Sequence, residues 1–289
     1  MPPRSLLVSL AGLMASLPTD PAAPATAGER RLNLLSCNIL AGGSVKRYRD
    51  YVTHSWKHVL PHGKRENLDG LARVIGAFDL VGLQEADAGS LRSGFLNQTQ
   101  YLAEAAAFPF WTHQPNRRVS RLATSSNGLL ARWQPDEVLD YPLPGRIPGR
   151  GALWTRFGSG ADSLVVVIAH LSLGQVARAR QLGFLAELIG NHPNAVLMGD
   201  LNTNARSAEL DLLYARTSLV RADDPPATFP SWRPTRAIDH ILVSAPLTVE
   251  RRWALPHLVS DHLPIAATVR LPEVLANRVA AENGPAAES

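Results

Sequence analysis

The feature that most constrains this chain is where polar residues interrupt its apolar runs. Asn38, Gln84-Glu85, His170, Gly199-Asp200-Leu201-Asn202 and Asp239-His240 each follow or end an apolar segment, of which Leu164-Val165-Val166-Val167-Ile168-Ala169 is the longest example. A sixth segment, Asp261-His262, precedes one. A strand apolar at every position is buried on both faces. Polar groups at the ends of several such strands are what an active site shared by many strands requires.

Runs of β-branched and apolar residues bounded by Gly, Pro or Asp predict strands over 32–39, 80–83, 128–131, 151–157, 163–170, 195–198, 238–243 and 265–271. Leu68, Leu71, Val74, Ile75 and Phe78 recur at helical spacing, and similar spacing returns over 96–108 and 176–189. That is more strands than a small sheet uses. Two sheets packed face to face, with helices over their outer faces, would bury the doubly apolar strands.

At 289 residues, with 45% hydrophobic and 19% charged residues, the chain has the composition of a globular protein with a substantial core. The polar segments span most of its length, so one domain is expected over 29–273. Residues 1–28 read as a signal peptide or disordered leader. Arg4 precedes an apolar stretch over 6–17, and Ala25-Thr26-Ala27 resembles a cleavage site. An exported or periplasmic protein is the expectation, with a cytoplasmic one as the alternative. Residues 274–289 read as a flexible tail. Cys37 is the only cysteine, which excludes an intrachain disulfide, and its apolar surroundings predict an inert buried thiol. The net charge is +4, and Lys46, Lys57 and Lys64 are the only lysines. The scattered arginines fit either background composition or phosphate recognition.

The ordered set Asn, Gln-Glu, His, Gly-Asp-x-Asn, Asp-His, Ser-Asp-His resembles the endonuclease/exonuclease/phosphatase superfamily, from about residue 33 to residue 271. Ser126-Asn127-Gly128-Leu129-Leu130-Ala131-Arg132, Arg150-Gly151-Ala152-Leu153 and Thr228-Phe229-Pro230-Ser231-Trp232-Arg233-Pro234 extend the likeness. The resemblance implies an α/β four-layer sandwich, two packed mixed β-sheets flanked by helices. It also implies a metal-dependent phosphoesterase using Mg²⁺, with Mn²⁺ as a substitute.

Read as residues, Glu85 at a strand end is either a cleft metal ligand or a solvated loop acid. Oxygen ligands suit hard cations. Asn38 could serve its own turn, and Asp-x-Asn is itself a common turn. The resemblance assigns metal binding to Asn38, Glu85 and Asp261. It gives His170 and Asn202 phosphate contacts, and Asp200 the attacking water and leaving-oxygen proton. It pairs Asp239 with His262, where a carboxylate would fix the imidazole tautomer. No Gly-x-Ser-x-Gly is present to support a serine hydrolase.

Substrate choice is expected in the loops over 46–64, 86–100, 117–121 and 228–234, with Arg150, Trp232 and Arg233 as substrate-binding candidates. Duplex binding normally shows as a basic stripe, and this chain has only short basic clusters. The expected activity is therefore phosphodiester hydrolysis on a phospholipid headgroup or small phosphorylated metabolite. A metal-dependent endo- or exonuclease is the alternative, and an inactive phosphate-binding module a remote one. No obligate protein partner is indicated, and a monomer is expected.

Overall fold

The apolar runs become the inner strands of two sheets. A computed structural model describes residues 31–39, 64–90, 93, 95–119, 123–145, 149–257 and 260–275. In chain order its elements are β1 (Arg31–Asn38), α1 (Lys64–Ile75), β2 (Leu80–Asp87), α2 (Gln98–Ala105), β3 (Phe110–Val119), β4 (Ala123–Ala131), β5 (Glu137–Pro142), β6 (Gly151–Phe157), β7 (Leu164–His170), α3 (Gln175–Ile189), β8 (Ala195–Asp200), α4 (Ala208–Arg216), β9 (Asp239–Val243), β10 (Thr248–Ala254) and β11 (Ile265–Arg270). The expected leader, most of the 46–64 loop and the tail after residue 275 lie outside the described residues. Among the described residues, no helix is long and apolar enough to cross a membrane.

Sheet one runs β10-β11-β1-β2-β4-β3, and sheet two runs β5-β6-β7-β8-β9. Both are mixed: β1 and β2 are parallel, as are β7 and β8, whereas the other pairs are antiparallel. Side chains alternate along a strand, and here each face meets a separate core. Leu32 and Leu34 of β1 join Leu164, Val166 and Ile168 of β7 between the sheets. Leu35 and Cys37 pack outward against Leu68, Leu71 and Ile75 of α1. Val165, Val167 and Ala169 pack outward against Leu182 and Leu185 of α3 and Leu210 of α4. This is the expected four-layer sandwich. Each fully buried Val, Leu or Ile contributes about 1.5–3 kcal/mol of transfer energy. Gly82 marks a close approach of the two sheets, since a Cβ there would lie 3.1 Å from both Ile168 Cγ1 and Met198 Cε.

The expected inner strands all form, with shifted ends. The 80–83 run continues to Asp87, and the 128–131 run is the end of a nine-residue strand. The helix expected over 96–108 is shorter, because Asn97 caps its start by accepting from Thr99 N and Gln100 N at 3.1 and 3.2 Å. Three strands and α4 were not anticipated. β3, β5 and β10 are sheet edges, where one side of the ladder is open. β5 alternates half-buried and exposed residues, and β3 carries Pro115, which an edge tolerates. Arg117 and Arg118, expected in a loop, are drawn into β3 by pairing with Ser125 and Thr124.

Candidate active site

Register brings the polar strand ends together. His170 pairs with Asp200 and Asp200 with Asp239, so the three stand side by side across β7, β8 and β9. They continue the inward-facing series of Ile168, Met198 and Ile241. From the facing sheet, Asn38 extends the inward series of Leu32 and Leu34 and lies opposite Gln84. Gly199 is required where β7 and β8 draw closest. It sits at φ +146, and a Cβ would fall 1.9 Å from the Ala169 carbonyl oxygen. Gly199→Ala is expected to destabilise the fold by roughly 3 kcal/mol, because backbone must move to admit the methyl. Urea denaturation checks this, and an unchanged midpoint would refute the close approach.

Glu85 reaches the cleft through a bulge. Leu83 pairs with Gly128 and Ala86 with Ser126, leaving Gln84 and Glu85 opposite Asn127 alone. Glu85 takes the left-handed backbone at φ +57. Such an extra residue re-aims a side chain without ending the strand. Glu85 Oε1 lies 3.7 Å from His170 Nε2. The following loop is ordered by buried Asp87, which accepts from Gly89 N, Ser90 N, Ser90 Oγ and Ser93 Oγ.

Asp200 is the hub. Its Oδ2 accepts from Asn38 Nδ2 at 3.2 Å and lies 3.4 Å from His170 Nε2 and 3.8 Å from His262 Nε2. Its Oδ1 accepts from Asn202 N at 3.0 Å. Burial alone would raise this carboxyl. The His170 hydrogen bond and charge, the His262 charge and the Asn202 N–H outweigh it and hold Asp200 well below the usual carboxylate range. Asn202 sits at φ +52 and donates through Nδ2 to Leu171 O at 3.0 Å. A second amide hydrogen and Oδ1 remain in its inventory.

His262 is held as a charged donor. Its Nδ1 lies 2.8 Å from Asp239 Oδ2, and Thr228 Oγ1 donates to the same oxygen at 2.5 Å. Burial opposes the charge, but Asp239, Asp200 and Asp261 together push the imidazole up to about 10. The Phe229 ring packs against it with centroids 4.9 Å apart. Ser260 Oγ donates to Asn38 O at 2.5 Å and accepts from His262 N at 3.0 Å, which ties the Asp261-His262 turn to the end of β1. Ser231 N donates to Asp261 O at 2.7 Å, and Ser231 Oγ to Ser260 O at 2.7 Å. Thr228 and Ser231 fall in the 228–234 loop expected to set substrate choice, and Ser260 precedes Asp261. Their bracing contacts have no signal in the sequence, because a hydroxyl's burial cannot be read from its neighbours.

The donor set fits a hard divalent cation. Asn38, Glu85 and Asp261 all offer oxygen, and Asn38 engages Asp200 through its amide nitrogen. Burial, then the negative charges of Glu85 and Asp200, push Asp261 up despite His262 beside it. A cation would relieve that crowding of carboxylates. Among the described residues, the group whose ligand atoms lie within 4.8 Å of one another is a different one: Asp200, Asp239 and His262. These groups already hydrogen-bond one another or their neighbours, which suits proton and phosphate contacts better than a metal shell. Of the substrate-binding candidates, Arg150 is half-buried just before β6. Half-buried Trp232 and exposed Arg233 follow Ser231 in the turn that Ser231 ties to Asp261.

The sequence model of the Endonuclease/Exonuclease/phosphatase family matches residues 35–262, from within β1 to His262 itself. No curated protein matches the sequence. Similar solved structures include an endonuclease/exonuclease/phosphatase family protein from Bacteroides thetaiotaomicron, 19% identical, covering 84% of this chain and 98% of its own, with a TM-score of 0.63. A mannosyl-6-phosphatase from the same organism is also 19% identical, covering 82% and 99%, with a TM-score of 0.59. A humanized TDP2 from D. rerio is 16% identical, covering 83% and 98%, with a TM-score of 0.59. With the family model spanning most of the chain, fold and strand-end polar set agree: the chain belongs to the endonuclease/exonuclease/phosphatase family, the metal-dependent hydrolases of phosphoric esters.

Proposed function

We propose that this enzyme is a Mg²⁺-dependent phosphodiesterase acting on a phospholipid headgroup or small phosphorylated metabolite. The observation that carries hydrolysis by water is the donor ring around Asp200, with two imidazoles within 4 Å of one carboxylate oxygen. In this reading His262, His170 and Asn202 hold the non-bridging phosphate oxygens. Asp239, itself held by Thr228, keeps the His262 ring charged and oriented. Asp200 orients the water for in-line attack, a duty that suits a carboxylate held below its usual range. A divalent cation held by Glu85, Asp261 and Asn38 would supply Lewis-acid polarisation of a phosphoryl oxygen. Cys37 is no candidate nucleophile, since it is buried on the helix side and burial pushes its thiol far up.

Two features support a small or lipidic diester over a polynucleotide. First, many arginines are already committed: Arg31 to Glu250, Arg156 to Glu137, Arg178 to Glu209, Arg221 to Asp211, and Arg132 to the carbonyls of Phe78, Ala107 and Gly76. Among the described residues, these five side chains are engaged within the protein rather than left to track a phosphate backbone. Second, apolar side chains are exposed on the segments that follow two of the site strands. Leu173 (76% exposed) and Val176 (71%) follow the His170 strand, and Phe95 (66%) follows the Glu85 bulge. The test sets phospholipid vesicles and glycerophosphodiesters against plasmid DNA at low and high salt. Headgroup or small-diester hydrolysis that changes little with salt is expected. DNA cleavage that falls steeply with salt, without small-diester turnover, would transfer the reading to a nuclease.

A further inference from the structure

His240, like Gln84, is a polar residue of the strand-end set that the mechanism leaves unused. We infer that it is a positioning residue for the reaction, holding the turn that carries Asp200 and Asn202. The inference rests on the roles given to those two residues above.

The turn is anchored from one strand. Leu201 N donates to Ile238 O at 3.0 Å. Asp239, next in sequence, faces inward and holds His262. His240 faces outward, on the side of Leu242, and its Nε2 lies 2.7 Å from Thr203 O. A carbonyl only accepts, so Nε2 carries the proton. Three consecutive residues thus fix both ends of the 201–203 turn and the imidazole that faces it. The turn benefits from fixing, because Asn202 at its centre holds a left-handed backbone, uncommon for residues other than glycine even though Asn adopts it more readily than most. Its N–H must remain on Asp200 Oδ1 for the carboxylate to keep its orientation.

The chemistry of the site points the same way. His240 is buried, and its Nδ1 is also buried without a hydrogen-bond partner. An imidazole with one orphaned nitrogen costs more to bury than an apolar ring of the same size. What it adds over such a ring is the one bond to Thr203. Packing alone would be served as well by phenylalanine.

The test compares His240→Phe, which keeps a ring but no donor, with His240→Gln, whose amide nitrogen restores a donor at similar reach. His240→Met, also donorless and more adaptable in shape, replaces the phenylalanine variant should that one not fold. Steady-state kinetics on bis-p-nitrophenyl phosphate should show kcat reduced by about tenfold to a hundredfold in the donorless variant. KM should stay within about twofold, and His240→Gln should recover most of the loss. Amide exchange of Asn202 should accelerate in the donorless variant and slow again in His240→Gln. That exchange readout needs no turnover, so it separates this inference from the proposed reaction. A donorless variant with wild-type kcat and unchanged Asn202 exchange would overturn it. So would a folded His240→Gln as impaired as the donorless variant, since packing and not the bond would then be what matters.

Discussion

Replacing Asp200 with Asn should lower kcat by about a thousandfold, within the range seen for loss of a group acting on protons in the transition state. The two side chains are nearly isosteric, so the effect isolates chemistry from volume. Asp200 accepts from Asn38 Nδ2 and Asn202 N, and its Oδ2 lies within 4 Å of two imidazole nitrogens, His170 Nε2 and His262 Nε2. An amide offers one oxygen and turns its NH₂ toward the remaining donors. Two buried donors then face each other, the water loses its orienting oxygen, and His262 loses part of what keeps it charged. Stopped or initial-rate kinetics on a phosphodiester substrate decide the matter. A kcat within tenfold of wild type would remove Asp200 from the centre of the mechanism.

Glu85→Gln should be as damaging by a different route. The bulge and the left-handed backbone are retained, but the charge aimed into the cleft is lost. Metal affinity should fall by at least tenfold, and kcat at low metal by more than a hundredfold, with partial recovery as Mg²⁺ is raised. A readout independent of activity is available. A cation that binds only the folded protein at a hundred times its Kd stabilises it by about 2.7 kcal/mol. The wild type should therefore melt higher with metal than with EDTA, and Glu85→Gln should show much less of that shift. Equal metal-induced shifts in the two proteins would place the cation elsewhere.

Much of this site was legible in the sequence because each polar group interrupts an apolar strand. Such an interruption marks a strand end, and strand ends in a covered sheet converge. Asn38, His170, Asp200, Asp239 and His262 were found this way and lie within one hydrogen-bonded or charge-paired cluster. What local sequence does not carry is the geometry between segments. Nothing in Gln84-Glu85 announces a bulge, which arises only from pairing against β4. The depressed carboxyl of Asp200 depends on His170 and His262, each distant in the chain. Asp87 reads as the second acid of a loop, yet it is buried and organises that loop through side-chain acceptors. Edge strands β5 and β10 escaped notice for a related reason, since half their residues face solvent and no apolar run betrays them.

The central claim is metal-dependent hydrolysis of a phosphodiester. It is tested most directly by comparing bis-p-nitrophenyl phosphate with p-nitrophenyl phosphate as substrates in Mg²⁺, in Mn²⁺ and in EDTA. Cleavage of the diester in either metal, abolished by EDTA and exceeding cleavage of the monoester, is the predicted result. Turnover that survives EDTA, or cleavage of the monoester alone, would contradict it.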